Sequence, residues 1–145
     1  MLARPVRAGR RALNLYVDAS ALVKRYVAEA GSELVRDAMD EAGGWFICRV
    51  GYVETARAIG LAGGDAAVKA FRSEWPAFSV VEVSQDLADA ASDLSLEHEL
   101  RSLDALHLAA ALTLPQGDLL VATWDKRLHI AIRSAGLALL PAELG

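Results

Sequence analysis

Five short apolar runs alternate along the chain with longer stretches whose apolar residues recur at helical spacing. The runs are residues 15–17, 45–48, 78–83, 119–122 and 137–140. Between them the spacing predicts helices over 19–28, 32–41, 50–61, 65–75, 84–100, 102–114 and 126–134. Glycine pairs at 43–44 and 63–64 and Pro76 punctuate these segments. Short apolar strands separated by helices favour a parallel sheet covered on both faces, because each crossover helix must bury its own apolar stripe. The expected stripes are Val50, Val53, Ala56 and Ile59 in one helix, and Leu87, Ala90, Ala91, Leu94 and Leu96 in another.

The 145 residues, 54% of them hydrophobic, suffice for one domain with a full core. No apolar run approaches the roughly 20 residues of a membrane helix. The opening MLARPVRAGRRALN carries four arginines without an apolar segment, unlike a secretory signal. Residues 1–12 therefore read as a flexible basic leader before a single domain at 13–145. A lone cysteine, Cys48, leaves no internal disulfide and no multi-cysteine zinc site, which fits a reducing cytoplasm. The net charge of −4 argues against non-specific nucleic-acid binding by the chain as a whole.

Four acidic residues stand in apolar surroundings, where carboxylates rarely sit unless paired or bound to a metal. Asp18 ends the run LYV, and Asp125 follows LLVATW. Glu54 interrupts VGYVETARAIG, and Asp104 precedes ALHLAAAL. Each has an ordinary explanation. Asp18 and Asp125 can cap the helices that follow them. Asp104 can be a first-turn acid favoured by the helix dipole. Glu54 can pair with Arg49 or Arg57. All four nonetheless belong to the carboxyl edge of a parallel sheet, where open α/β folds bind ligands. Carboxylates converging there need a proton or a cation between them. Hard divalent ions such as Mg²⁺ accept a few carboxylates together with water and phosphate oxygens. Lys24, Arg25, Arg49, Arg101, Lys126 and Arg127 lie close in sequence to these acids, where they can form a local rim for a phosphate backbone.

The stretches LYVDASALVKRY, YVETARAIG, LRSLDALHLAAAL and LLVATWDKRL, with AGLALL after the last, resemble the PIN domain, in particular VapC-like toxins. The resemblance runs from about Leu13 to Leu140. Its most specific parts are V-D-x-S-x-L-V-K and D-A-L-H-L-A-A-A. It implies a three-layer α/β/α fold with a central, mainly parallel sheet. It also implies metal-dependent RNA cleavage, with Mg²⁺ or Mn²⁺ held by Asp18, Glu54, Asp104 and Asp125. Asp18 and Asp104 would be the firmest ligands. Ser20 and Thr123 match hydroxyl residues that orient the ligands. A homodimer and a cognate antitoxin that blocks the crevice are further implications. Trp124 and His107 read first as packing residues, with base stacking and a carboxylate contact as their respective alternatives.

Three other readings compete. One is a housekeeping RNA-processing nuclease of the same fold, and another is the same fold acting only as a binding module. The third is a phosphate-handling α/β enzyme, disfavoured because Asp18-Ala19-Ser20 lacks a second aspartate two residues on. Neither a phosphate-binding nor a dinucleotide glycine motif occurs.

Overall fold

The computed structural model describes residues 12–144. Its strands are β1 (Asn14–Val17), β2 (Gly44–Cys48), β3 (Ser79–Val81), β4 (Leu119–Ala122) and β5 (Ala138–Leu140). Its helices are α1 (Ala19–Tyr26), α2 (Ser32–Glu41), α3 (Val50–Glu74), α4 (Gln85–Glu97), α5 (Ser102–Leu112) and α6 (Lys126–Ser134). The five strands form one sheet in the order β3-β2-β1-β4-β5. Every pairing is parallel, so the mainly parallel sheet expected is wholly so.

β1 shows why both faces are covered. Leu15, Tyr16 and Val17 are all buried, and side chains alternate across a strand. Leu15 and Val17 join a core built with Ala21, Leu22, Val35, Met39 and Ile59 from α1, α2 and α3. Tyr16 enters the opposite core, with Leu87, Ala91, Leu108, Leu128 and Ile132 from α4, α5 and α6. Burying each such large apolar side chain stabilises the fold by about 1.5–3 kcal/mol. The result is the three-layer α/β/α architecture.

Several local expectations are corrected. The glycine pair at 63–64 does not separate two elements. Helical backbone resumes at once, and α3 is bent at Gly64, whose φ of 77° favours glycine. The buried face of its first half is Gly51, Thr55 and Ile59 at i, i+4 spacing, and Val53 is 68% exposed. In α4 the face is Leu87, Ala91 and Leu94, leaving Leu96 81% exposed. That helix stops at Glu97, and Glu99 takes a positive φ before Leu100 returns to the core. β3 is three residues long, not six, since only Ser79–Val81 finds a partner on β2. Residues 1–11, nearly all of the expected basic leader, lie outside the described residues. No described helix is long and apolar enough to cross a membrane.

A candidate functional site at the carboxyl edge of the sheet

The chain builds β1, β2 and β3 outward in one direction, then returns to lay β4 on the other side of β1. This reversal makes β1 and β4 diverging neighbours, and their carboxyl ends open the crevice in which α/β sheets bind ligands. Val17 pairs with Ala122. The residues just beyond, Asp18 and Thr123, therefore emerge side by side.

Asp18 caps α1, its Oδ1 accepting from the Ala21 backbone N–H at 3.0 Å. The ordinary explanation for this residue is thus correct, and it is incomplete. The same Oδ1 accepts from the Ser20 hydroxyl at 2.7 Å, and Oδ2 accepts from the Thr123 hydroxyl at 2.6 Å. Ser20 Oγ in turn accepts from the Trp124 N–H at 2.8 Å, and Thr123 Oγ1 from the Asp125 N–H at 3.1 Å. A cap needs one donor, so three fix both carboxylate oxygens in direction. Asp125 is likewise the cap of α6, accepting from Leu128 N–H at 3.0 Å.

Asp104 lies in the first turn of α5, with His107 one turn later on the same face. Glu54 lies one turn into α3. It does not pair with an arginine; its Oε1 stands 2.7 Å from Nε2 of the buried His107. Arg49, the arginine nearest the start of that helix, is taken by Glu82 at 2.6 Å.

Charge ties the four acids together. Partial burial pushes the Asp104 carboxyl from 3.8 up to about 6, and repulsion from Asp125, Asp18 and Glu54 adds to the rise, against the pull of His107. Burial also raises Asp18, while His107, Thr123, Ser20 and the Ala21 N–H restrain the rise. Burial disfavours a charged His107 ring, but the Glu54 hydrogen bond and the Asp18, Glu54 and Asp104 charges outweigh it and raise its pKa.

Among the described residues, no three His, Cys, Asp or Glu side chains stand close enough to cage an ion by themselves. The donors are nevertheless all hard oxygens, and their repulsion, recorded at Asp104, is what a divalent cation would relieve. An ion that keeps water and takes its remaining ligands from a substrate phosphate suits such an open arrangement.

The basic residues divide. Lys24 is buried, donates to Glu29 and the Ala30 carbonyl, and lies 4.9 Å from the centre of the Trp124 ring. That contact places Trp124 in packing. Arg25 makes a two-pronged pair with Glu74 and stacks over Trp45. Arg49 is held by Glu82. Arg101, Lys126 and Arg127 are exposed, beside Asp104 and Asp125 in the chain, and have no ion-pair partner among the described residues.

Sequence reasoning missed Tyr16, whose hydroxyl lies 2.7 Å from Nδ1 of His107. The signal was a tyrosine in the middle of a buried strand, where its hydroxyl needs a partner.

A family model described as PIN domain matches residues 15–132. Ribonuclease VapC45 of Mycobacterium tuberculosis is 34% identical over 139 residues, which cover 90% of this chain and 96% of the relative. The crystal structure of Mycobacterium tuberculosis VapC20, described as a Sarcin-Ricin loop cleaving toxin, superposes with a TM-score of 0.70 at 17% identity, covering 86% of this chain and 96% of that one. A toxin–antitoxin complex from Klebsiella pneumoniae gives a TM-score of 0.62 at 20% identity over 77% of this chain and 86% of the other. These two structures share the fold. The family match spans all five carriers of the crevice, Asp18, Glu54, Asp104, Thr123 and Asp125, and with the close curated relative it leaves one conclusion: the chain belongs to the PIN domain family.

Proposed function

We propose that this chain is a metal-dependent endoribonuclease, the toxin of a toxin–antitoxin pair. The observation that carries the reading is the crevice itself. Four acids couple at Asp104 in a chain 34% identical to a protein named ribonuclease. Asp18 and Asp104 would hold a Mg²⁺ or Mn²⁺ ion, with Glu54 and Asp125 completing the site directly or through water. When bound, such an ion supplies an activated water and stabilises charge on the phosphate.

The protein's own share is orientation. Ser20 and Thr123 aim both oxygens of Asp18, and hydrogen-bonding neighbours of this kind tune metal-binding carboxylates. The exposed Arg101, Lys126 and Arg127 offer the phosphate backbone local positive charge on an acidic protein. Lys24, Arg25 and Arg49 contribute less, because internal acids already neutralise them. A cognate antitoxin that occludes the crevice, a homodimer and a place in the cytoplasm complete the reading.

The test is RNA cleavage by the purified chain, stripped of any bound partner, with Mg²⁺ or Mn²⁺, with a chelator, and for Asp18→Asn. Asparagine keeps a cap acceptor, so circular dichroism should show a folded variant. Metal-dependent cleavage lost in the variant supports the reading. Equal cleavage by the variant overturns the site. Absence of cleavage on total cellular RNA, together with no Mn²⁺ binding, would mark the chain as a binding module. Growth arrest on expression, relieved by a small neighbouring gene, would separate a toxin from an RNA-processing enzyme.

A further inference from the structure

Four groups form one hydrogen-bonded line from the middle of the sheet to the crevice. The Cys48 backbone N–H donates to the Tyr16 hydroxyl oxygen at 3.1 Å. That oxygen lies 2.7 Å from Nδ1 of His107, and Nε2 of the ring lies 2.7 Å from Oε1 of Glu54. Tyr16 and His107 are 1% and 2% exposed, so neither reaches the crevice, and their polar atoms must find partners inside the protein.

Counting hydrogens gives the line a direction. An ionised Glu54 only accepts, so Nε2 carries the hydrogen. The Tyr16 hydroxyl already accepts from Cys48, and its own hydrogen has Nδ1 as its acceptor. Every donor is then matched. The opposite tautomer would set a bare Nε2 against a carboxylate oxygen at 2.7 Å, two acceptors with no hydrogen between them. The rings of Tyr16 and His107 also meet edge to face, 5.9 Å between centres, which restrains the imidazole further.

The approach of α3 depends on Gly51. A Cβ there would lie 2.5 Å from Ile47 and 3.3 Å from Cε1 of His107. The bare glycine lets the first turn of α3 close on the ring, and Glu54 follows three residues later.

We propose that Tyr16 and His107 are positioning residues for Glu54: the sheet fixes the hydroxyl, the hydroxyl fixes the ring, and the ring holds the carboxylate at the crevice. The proposal rests on the nuclease reading of the site, and its test keeps the two apart.

Cleavage is measured for wild type, Glu54→Gln, His107→Asn and the double variant. Loss of the outer partner of a metal-binding group typically costs about 10–100-fold. His107→Asn is too short to reach Glu54 and should lose that much in kcat, with KM little changed. In the Glu54→Gln background it should lose nothing more. His107→Gln, whose amide nitrogen stands near the position of Nε2, should recover most of the loss. Equal losses in both backgrounds would overturn the proposal while leaving the nuclease reading intact. A fully active Glu54→Gln would instead remove Glu54 from the site, and the proposal with it. A readout free of catalysis is the ¹⁵N spectrum of the histidine rings in metal-free protein at pH 8. The signal that vanishes in His107→Asn should show hydrogen on Nε2 and a bare Nδ1, and should shift in Tyr16→Phe. Hydrogen on Nδ1 alone would overturn the assignment even if every variant failed to fold.

Discussion

Thr123 and Asp18, 105 residues apart, share a 2.6 Å hydrogen bond in which the threonine hydroxyl donates to Oδ2 of the carboxylate. The same hydroxyl oxygen accepts the Asp125 N–H. One side chain thus ties the end of β4 to the end of β1. Replacing Thr123 by valine preserves shape and strands both partners. Leaving a buried polar group unmatched costs about 1–3 kcal/mol. Urea unfolding of Thr123→Val should show that loss at an unchanged slope, whereas Thr123→Ser should lose about 1 kcal/mol, the value of a buried methyl. A serine variant as weak as the valine one would mean that packing, not the hydroxyl, matters here.

Asp104 makes the metal-free protein sensitive to pH. Its carboxyl titrates at about 6 in the fold against an ordinary 3.8. Between those values the folded chain holds a proton that the unfolded chain has released, so stability falls as pH rises through this window and stays lost above it. The raised Asp18 acts with the same sign, as does His107, whose contribution is lost as pH rises through its folded pKa. With chelator present, melting temperature should therefore be higher near pH 5 than near pH 7.5. Asp104→Asn should stabilise the chain at pH 7.5, change it little near pH 4, and flatten the profile between. An unchanged slope in the variant would contradict the coupling.

A cation bound among these acids would reverse that penalty. Ligand binding to the folded state alone stabilises by about 2.7 kcal/mol at 100 times Kd. Titrating Mn²⁺ or Mg²⁺ at pH 7.5 should raise the melting temperature of wild type, and Asp104→Asn should respond much less. Equal responses would place the ion elsewhere.

Two glycines of α3 should answer oppositely to alanine. At Gly51 the added carbon runs into Ile47 at 2.5 Å, and overpacking of this kind costs about 1–3 kcal/mol. At the exposed Gly60 the nearest atom is a Val68 methyl at 3.5 Å, an ordinary contact. Gly60→Ala should stabilise by up to about 1 kcal/mol through helix propensity. Thermal melts of the two variants, side by side, decide the point.

What was legible in the sequence follows from the range of the interactions involved. The bounds of α2 and α6 were readable because their apolar spacing and local stop signals lie within the segments. Asp18 and Asp125 stood out because a carboxylate after an apolar strand is conspicuous in one dimension. The outward turn of Val53 and Leu96 was not readable, since two candidate stripes on one helix differ by a rotation that only the neighbouring layer selects. The partners of Arg25 and Arg49 lie 49 and 33 residues away. The line from Tyr16 through His107 to Glu54 joins a strand and two helices from both layers, and no spacing within any one of them announces it.

The central place of β1 has a consequence for how the molecule comes off the ribosome. Asp18 and Glu54 are made early, but the strand that holds Asp18 in place from the other side carries Thr123, and Asp125 follows it. Six-sevenths of the chain must be synthesised before the crevice has two walls. A truncated product or a stalled nascent chain therefore carries half a set of acids and no site, so whatever activity the crevice has is born only with the finished protein.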